Sequence, residues 1–90
     1  MAVIKFTRNL NRYYPDLGPV SSQKQTLMGV LHDANEKYPG IIDYILDERG
    51  CIRKHVHVFI GNKAIRNRDD VGIEIDEKDE IYVMQALSGG

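Results

Sequence analysis

The sequence holds one cysteine, no tryptophan and three prolines in 90 residues. A lone thiol, Cys51, excludes an intramolecular disulfide and suits a reducing compartment. No stretch approaches the roughly 20 apolar residues of a membrane span. The opening Met-Ala-Val-Ile-Lys-Phe-Thr-Arg lacks the charged and apolar blocks of a secretion signal. The expectation is a soluble cytoplasmic protein. An excess of either charge is also missing: 12 basic residues stand against 13 acidic ones, which leaves nothing to mark a nucleic-acid or membrane binder. No segment resembles a nucleotide-binding loop, a catalytic triad or a paired-carboxylate site, so the chain does not read as an enzyme. Its length allows one domain, burying roughly 60–65% of its unfolded surface around a single modest core.

What is present is an alternation of two periods. Residues 2–7 alternate, with Ile4 and Phe6 on one face and Lys5 and Thr7 on the other, as a half-buried strand does. Residues 8–20 carry Tyr13, Tyr14, Pro15, Gly18 and Pro19, which break any helix, and a short polar strand is expected across 19–24. Thr26 is a good N-cap, and Leu27, Val30, Leu31, Ala34 and Tyr38 behind it fall on one face of an amphipathic helix that Pro39-Gly40 stops. Gly29 costs this helix about 1 kcal/mol against alanine, which argues for another backbone passing close by. Residues 41–46 add a turn of helix, followed by a polar loop from Asp47 to Gly50.

The clearest strand is His55–Ile60, and Gly61-Asn62 turns it into a short return strand through Ala64 and Ile65. Residues 66–79 are charged and irregular, with Val71, Ile73 and Ile75 as inward anchors; the final strand spans about Glu80 to Gln85. Seven acids lie between Asp69 and Glu80, either as solvated turns or as a negative edge for a basic partner. The order β, β, α, β, β, β, with one helix to cover one sheet, gives an α+β fold.

Strand alternation assigns faces. Val56, Val58 and Ile60 share one side of their strand and His55, His57 and Phe59 the other; Ile81 and Val83 oppose Tyr82 and Met84. One helix covers one face, and the aliphatic sets belong beneath it. Phe59, Tyr82 and Met84, with His57, are left on the open face as a candidate partner-binding patch if the two strands are neighbours. A tail or loop folded over the patch is the alternative. His55 and His57 have a spacing seen in metal sites, but a zinc site needs three or four ligands, and His32 and Cys51 sit on separate elements; no metal is expected. Cys51 has no identifiable base beside it and reads as an ordinary loop cysteine.

The chain then ends Ala86-Leu87-Ser88-Gly89-Gly90. Glycine adds no side chain to pack and lets a backbone run extended through a slot where any Cβ would clash. A terminal pair arises by chance in about one chain in two hundred, and a frayed terminus is the bland reading.

The runs Ile52–Asn62, Ile65-Arg66, Asp79–Val83 and Ala86–Gly90, with the helix from Thr26 to Tyr38-Pro39, resemble the MoaD/ThiS sulfur-carrier proteins. The terminal Ser-Gly-Gly is the most specific part. Gln85 stands where many members have proline, and Lys78 where they often have glycine. The resemblance implies a ubiquitin-like β-grasp fold over residues 1–85, a mixed sheet of four or five strands covered on one face by one main helix. Strands 1 and 5 are then parallel at the centre, with strand 3 beside strand 5, and residues 86–90 form a flexible tail. It also implies a carrier role for Gly90, whose carboxylate is adenylylated and converted to a thiocarboxylate, with Gly89 allowing passage through the slot and Ala86, Leu87 and Ser88 supplying reach. The implied partners are a ubiquitin-activating-like adenylyltransferase that binds the open sheet face, a sulfur donor, and a downstream sulfur-accepting enzyme or synthase large subunit. ATP and its metal ion belong to the activating enzyme, and no cofactor is bound by this chain. Molybdopterin, thiamine thiazole and cysteine are the open destinations. A ubiquitin-like modifier joined to lysines through Gly90, and an interaction module that is never activated, are the other readings.

Overall fold

The computed structural model describes residues 1–7 and 14–85, with side chains as far as Met84. The chain-order elements are β1 (Ala2–Phe6), β2 (Val20–Ser22), α1 (Leu27–Lys37), α2 (Ile42–Ile45), β3 (Val56–Ile60), β4 (Lys63–Ala64) and β5 (Glu80–Gln85). They form one five-stranded sheet in the order β2-β1-β5-β3-β4. β1 and β5 run parallel at its centre, and the other neighbours are antiparallel. This is the arrangement the family resemblance implies, the ubiquitin-like β-grasp.

Helix α1 lies where its periodicity puts it. Leu27, Val30, Leu31 and Ala34 are fully buried, against Ala2 and Ile4 of β1, Val56 and Val58 of β3 and Ile81 and Val83 of β5 in one continuous core. Burying each of the larger aliphatic side chains contributes about 1.5–3 kcal/mol. The first N–H groups of a helix have no carbonyl a turn earlier to bond. Here the loop before β5 supplies them: Leu27 N–H donates to Ile73 O at 3.0 Å and Met28 N–H to Val71 O at 2.9 Å. Gly29 N–H donates to the Thr26 cap hydroxyl at 3.1 Å. The irregular segment 66–79 is thus bolted to the helix, with Ile75 buried and Val71 and Ile73 packed on the rim of the core.

Gly29 has a different neighbour from the one its sequence context suggests. An added Cβ would meet the Lys24 side chain at 2.8 Å and Thr26 Oγ1 at 3.2 Å, so side chains of the turn before the helix crowd it, not a passing backbone. At the other end Gly40 takes φ +90°, a conformation that favours glycine, and Asn35 Oδ1 accepts from Gly40 N–H and Ile42 N–H as the chain bends into α2. Tyr38 ties the connection from β1 to this corner: its hydroxyl donates to Asp16 O at 3.0 Å and accepts from Gly18 N–H at 2.9 Å. The buried Ser22 hydroxyl is satisfied in the same manner, donating to Asp33 and accepting from Lys24 N–H.

Four strands differ from the expectation at their ends: β2 spans only Val20–Ser22 within the expected 19–24, and β4 stops at Ala64 short of Ile65. β1 stops at Phe6, although Thr7 N–H still donates to Val83 O at 3.1 Å. β3 starts at Val56, because Val56 N–H closes a turn onto Arg53 O at 3.0 Å, and His55 lies within that turn. The same-side pairing of His55 and His57 along one strand therefore does not exist. Among the described residues no three His, Cys, Asp or Glu side chains gather as a metal site requires. The described residues also contain no helix long and apolar enough to cross a membrane.

Candidate docking face and tail base

The side of the sheet away from α1 is built by β1, β5 and β3. Register pairs set its rows: His57 opposes Met84, Phe59 opposes Tyr82, and Tyr82 is paired on its other side with Lys5. Their strand neighbours Val56, Val58, Ile81 and Val83 are at most 2% exposed, whereas Met84 is 46% exposed. Alternation alone sends one set beneath the helix and the other outward. The structure thus brings together His57, Phe59, Tyr82 and Met84, the four residues singled out from the sequence as a partner-binding patch.

The face has two ends of different character. His57 and Met84 lie at the end where β5 reaches Gln85, beside the start of the tail. Toward the other end Lys5 Nζ lies 3.5 Å from Glu80 Oε1 and 5.4 Å from the centre of the Tyr82 ring. The Tyr82 hydroxyl donates to Glu80 Oε2 at 3.0 Å. The Glu80 carboxylate, then Tyr82, raises the Lys5 pKa above its ordinary value, so the ammonium stays charged throughout the neutral range. Surface pairs of this kind add little stability; here they join Lys5, Glu80 and Tyr82 in one group. His57 and Met84 thus stand at the Gln85 end of the face, and the Lys5, Tyr82 and Glu80 group at the other.

Lys5 and Glu80 were not picked out as site residues from sequence. The signal for Lys5 was available, since residues 2–7 place it opposite Ile4, but it needed the β1–β5 pairing to bring it against Tyr82. Cys51 lies apart from this face, half-buried in the loop after α2, where its N–H and that of Arg49 both donate to Asp47 Oδ1. Those two backbone donors, that of Cys51 first, hold the Asp47 carboxyl below its ordinary pKa. Ala86, Leu87, Ser88, Gly89 and Gly90, expected from the family resemblance as carrier and threading residues, lie outside the described residues.

No protein-family model matches the chain. It is 25% identical over 73 residues to the sulfur carrier protein CysO of Mycobacterium tuberculosis, an alignment covering 79% of this chain and 78% of that one. The crystal structure of M. tuberculosis CysO superposes with a TM-score of 0.83 at 19% identity, over 97% of this chain and all of that one. CysO in the Amycolatopsis orientalis BexX/CysO complex gives a TM-score of 0.85 at 16% identity over the whole of both chains. Small archaeal modifier protein 1 of Haloferax volcanii gives 0.75 at 18% identity, over 99% of this chain and 98% of that one. The structural matches establish the fold, the sequence match reaches a curated carrier, and together they relate this chain to the MoaD/ThiS-type sulfur carriers.

Proposed function

We propose that this protein carries sulfur on its C-terminal glycine. The observation that carries the reading is the 25% identity to a sulfur carrier over 73 residues. The fold supports it: β5 ends at Gln85, and five residues of sequence lead from there to Gly90. Residues 1–85 act as the grasp domain and 86–90 as the tail. A ubiquitin-activating-like adenylyltransferase docks on the face of His57, Phe59, Tyr82 and Met84 and draws the tail to ATP held with a metal ion on that enzyme.

A carboxylate is a poor electrophile until one oxygen becomes part of a good leaving group. The Gly90 carboxylate attacks the α-phosphorus of ATP, the bond to the β-phosphate oxygen breaks, and pyrophosphate leaves. The acyl-adenylate is then attacked at its carbonyl by sulfide, AMP departs with the former carboxylate oxygen, and a thiocarboxylate remains. With a persulfide donor the product is an acyl disulfide, which a second thiol cleaves to the same thiocarboxylate. That group is a soft anionic nucleophile for a downstream acceptor enzyme, and the chain is its co-substrate. Among the destinations named above, cysteine synthesis fits the CysO relatives.

The test is ATP–pyrophosphate exchange with the activating enzyme of the same cell. Stimulation by the intact chain, lost when Gly90 is deleted, is expected. No stimulation by the intact chain contradicts the reading. The likeness in fold to a small archaeal modifier keeps lysine conjugation through Gly90 as the second reading, and covalent adducts that survive thiols would favour it.

A further inference from the structure

β3 is an inner strand only along part of its length. On its outer side β4 pairs with Phe59 and Ile60 alone, and Ile65 N–H reaches one step further to Val58 O at 2.9 Å. At Val56 no strand among the described residues continues the ladder. The Arg68 side chain takes over: Nη1 donates to Val56 O at 3.1 Å, to Arg53 O, and more distantly to Ile52 O at 3.4 Å, while Nη2 donates to Lys54 O at 2.6 Å. The main chain locks the same contact, with Ile52 N–H donating to Arg68 O at 2.7 Å. One guanidinium thus gathers the carbonyls of the turn that launches β3. A planar fork of five donors suits that task, and no strand could follow a turn so closely.

The location gives the clamp a consequence. Val56, the residue at its inner edge, is the register partner of Gln85, the last residue of β5. Residues 86–90 follow Gln85 in the sequence, so the last β3–β5 pair is the part of the sheet nearest to them along the chain. We propose that Arg68 is a positioning residue for the tail: by holding the first residues of β3 it keeps the final β3–β5 pair closed and fixes the point from which residues 86–90 leave. The proposal rests on the sulfur-carrier reading for its functional half. With the clamp removed, the end of the β3–β5 ladder at His57–Met84 opens, and part of the docking face loosens with it. An activating enzyme then has to order what the carrier no longer presents ordered. That cost falls on productive binding and leaves chemistry in the bound complex unchanged, so KM rises and kcat does not.

The experiment compares the intact chain with Arg68→Met and Arg68→Lys, using two readouts. Amide hydrogen exchange is followed at His57 and Met84, whose pair lies across the end of the β3–β5 ladder, against the sheet centre at Ile4 and Ile81, and ATP–pyrophosphate exchange gives KM and kcat with the activating enzyme. In Arg68→Met the end amides are expected to exchange at least about tenfold faster while the centre is unchanged. KM rises about tenfold at constant kcat, the order expected for losing charge-assisted hydrogen bonds. Arg68→Lys, with a single charged donor group, recovers part of both. Unchanged exchange at the β3–β5 end, equal acceleration at end and centre, or a fall in kcat at constant KM overturns the proposal. An intact chain that gives no pyrophosphate exchange overturns the carrier reading instead, and amide exchange still reports whether Arg68 holds the end of the ladder.

Discussion

Phe59 and Tyr82 face each other across β3 and β5, on the side of the sheet that α1 does not cover. Next to them His57 and Met84 form the row nearest the tail. Side chains paired in this manner, on the side of the sheet away from the core, can be changed for binding without first breaking the fold.

Met84→Asp tests that separation. Met84 is 46% exposed and outside the core, so its replacement costs far less than a core truncation, on the order of 1 kcal/mol from strand propensity and partial burial. Equilibrium unfolding is expected to match the unsubstituted chain within that margin. KM for the activating enzyme is expected to rise about tenfold, the scale of an interface residue worth roughly 1.4 kcal/mol. An unchanged KM would remove this face from the interaction.

Leu31→Ala makes the opposite case. Leu31 is fully buried between α1 and the sheet, and truncation leaves a cavity that costs about 2–5 kcal/mol. Denaturant unfolding should show the unfolding free energy falling by that amount, through a lower midpoint at unchanged slope, with tail chemistry intact wherever the protein remains folded.

These two outcomes also separate what the sequence made legible from what it concealed. Helix α1 was readable because Leu27, Val30, Leu31 and Ala34 repeat at helical spacing behind a threonine cap, and the sheet faces because β3 and β5 alternate strictly. The neighbour relation of Phe59 and Tyr82 was not readable from alternation, since register depends on which strands meet; the family resemblance supplied it. Three features stayed hidden because each depends on which groups the fold brings together in space. Carbonyls of Val71 and Ile73 complete the start of α1, the side chain of Lys24 crowds Gly29, and Arg68 closes the turn before β3. Periodicity records where side chains point, and none of these contacts leaves a periodic trace. His55 was misassigned to the strand for a related reason: a valine-rich alternation continues through a turn that only a backbone hydrogen bond reveals.

Acid should weaken the fold partly through Asp47. Its carboxyl has a lower pKa folded than unfolded because Cys51 and Arg49 N–H groups bond the charged form. The sign follows from linkage: the unfolded chain takes up this proton first, so the contribution is complete above the unfolded value of about 3.9 and disappears as pH falls through the lower folded value. Asp47→Asn is therefore expected to be less stable than the unsubstituted chain at neutral pH, with the difference shrinking below about pH 4. Urea unfolding at pH 7 and pH 3 checks it; a gap that widens in acid contradicts the assignment.

Gly89→Val addresses the slot. A β-branched side chain restricts the backbone and adds bulk where the tail is drawn through. Transfer is expected to be abolished while circular dichroism and thermal unfolding stay unchanged. A Gly89→Val chain that still acquires a thiocarboxylate would end the steric argument.

The central claim is that sulfur is carried on Gly90, and intact mass spectrometry on untagged protein from its native cell reads it most directly. The account predicts a fraction heavier by one oxygen-to-sulfur exchange, absent when Gly90 is deleted. An unmodified terminus in cells whose activating enzyme is present and active, alongside thiol-resistant high-mass conjugates, would contradict it.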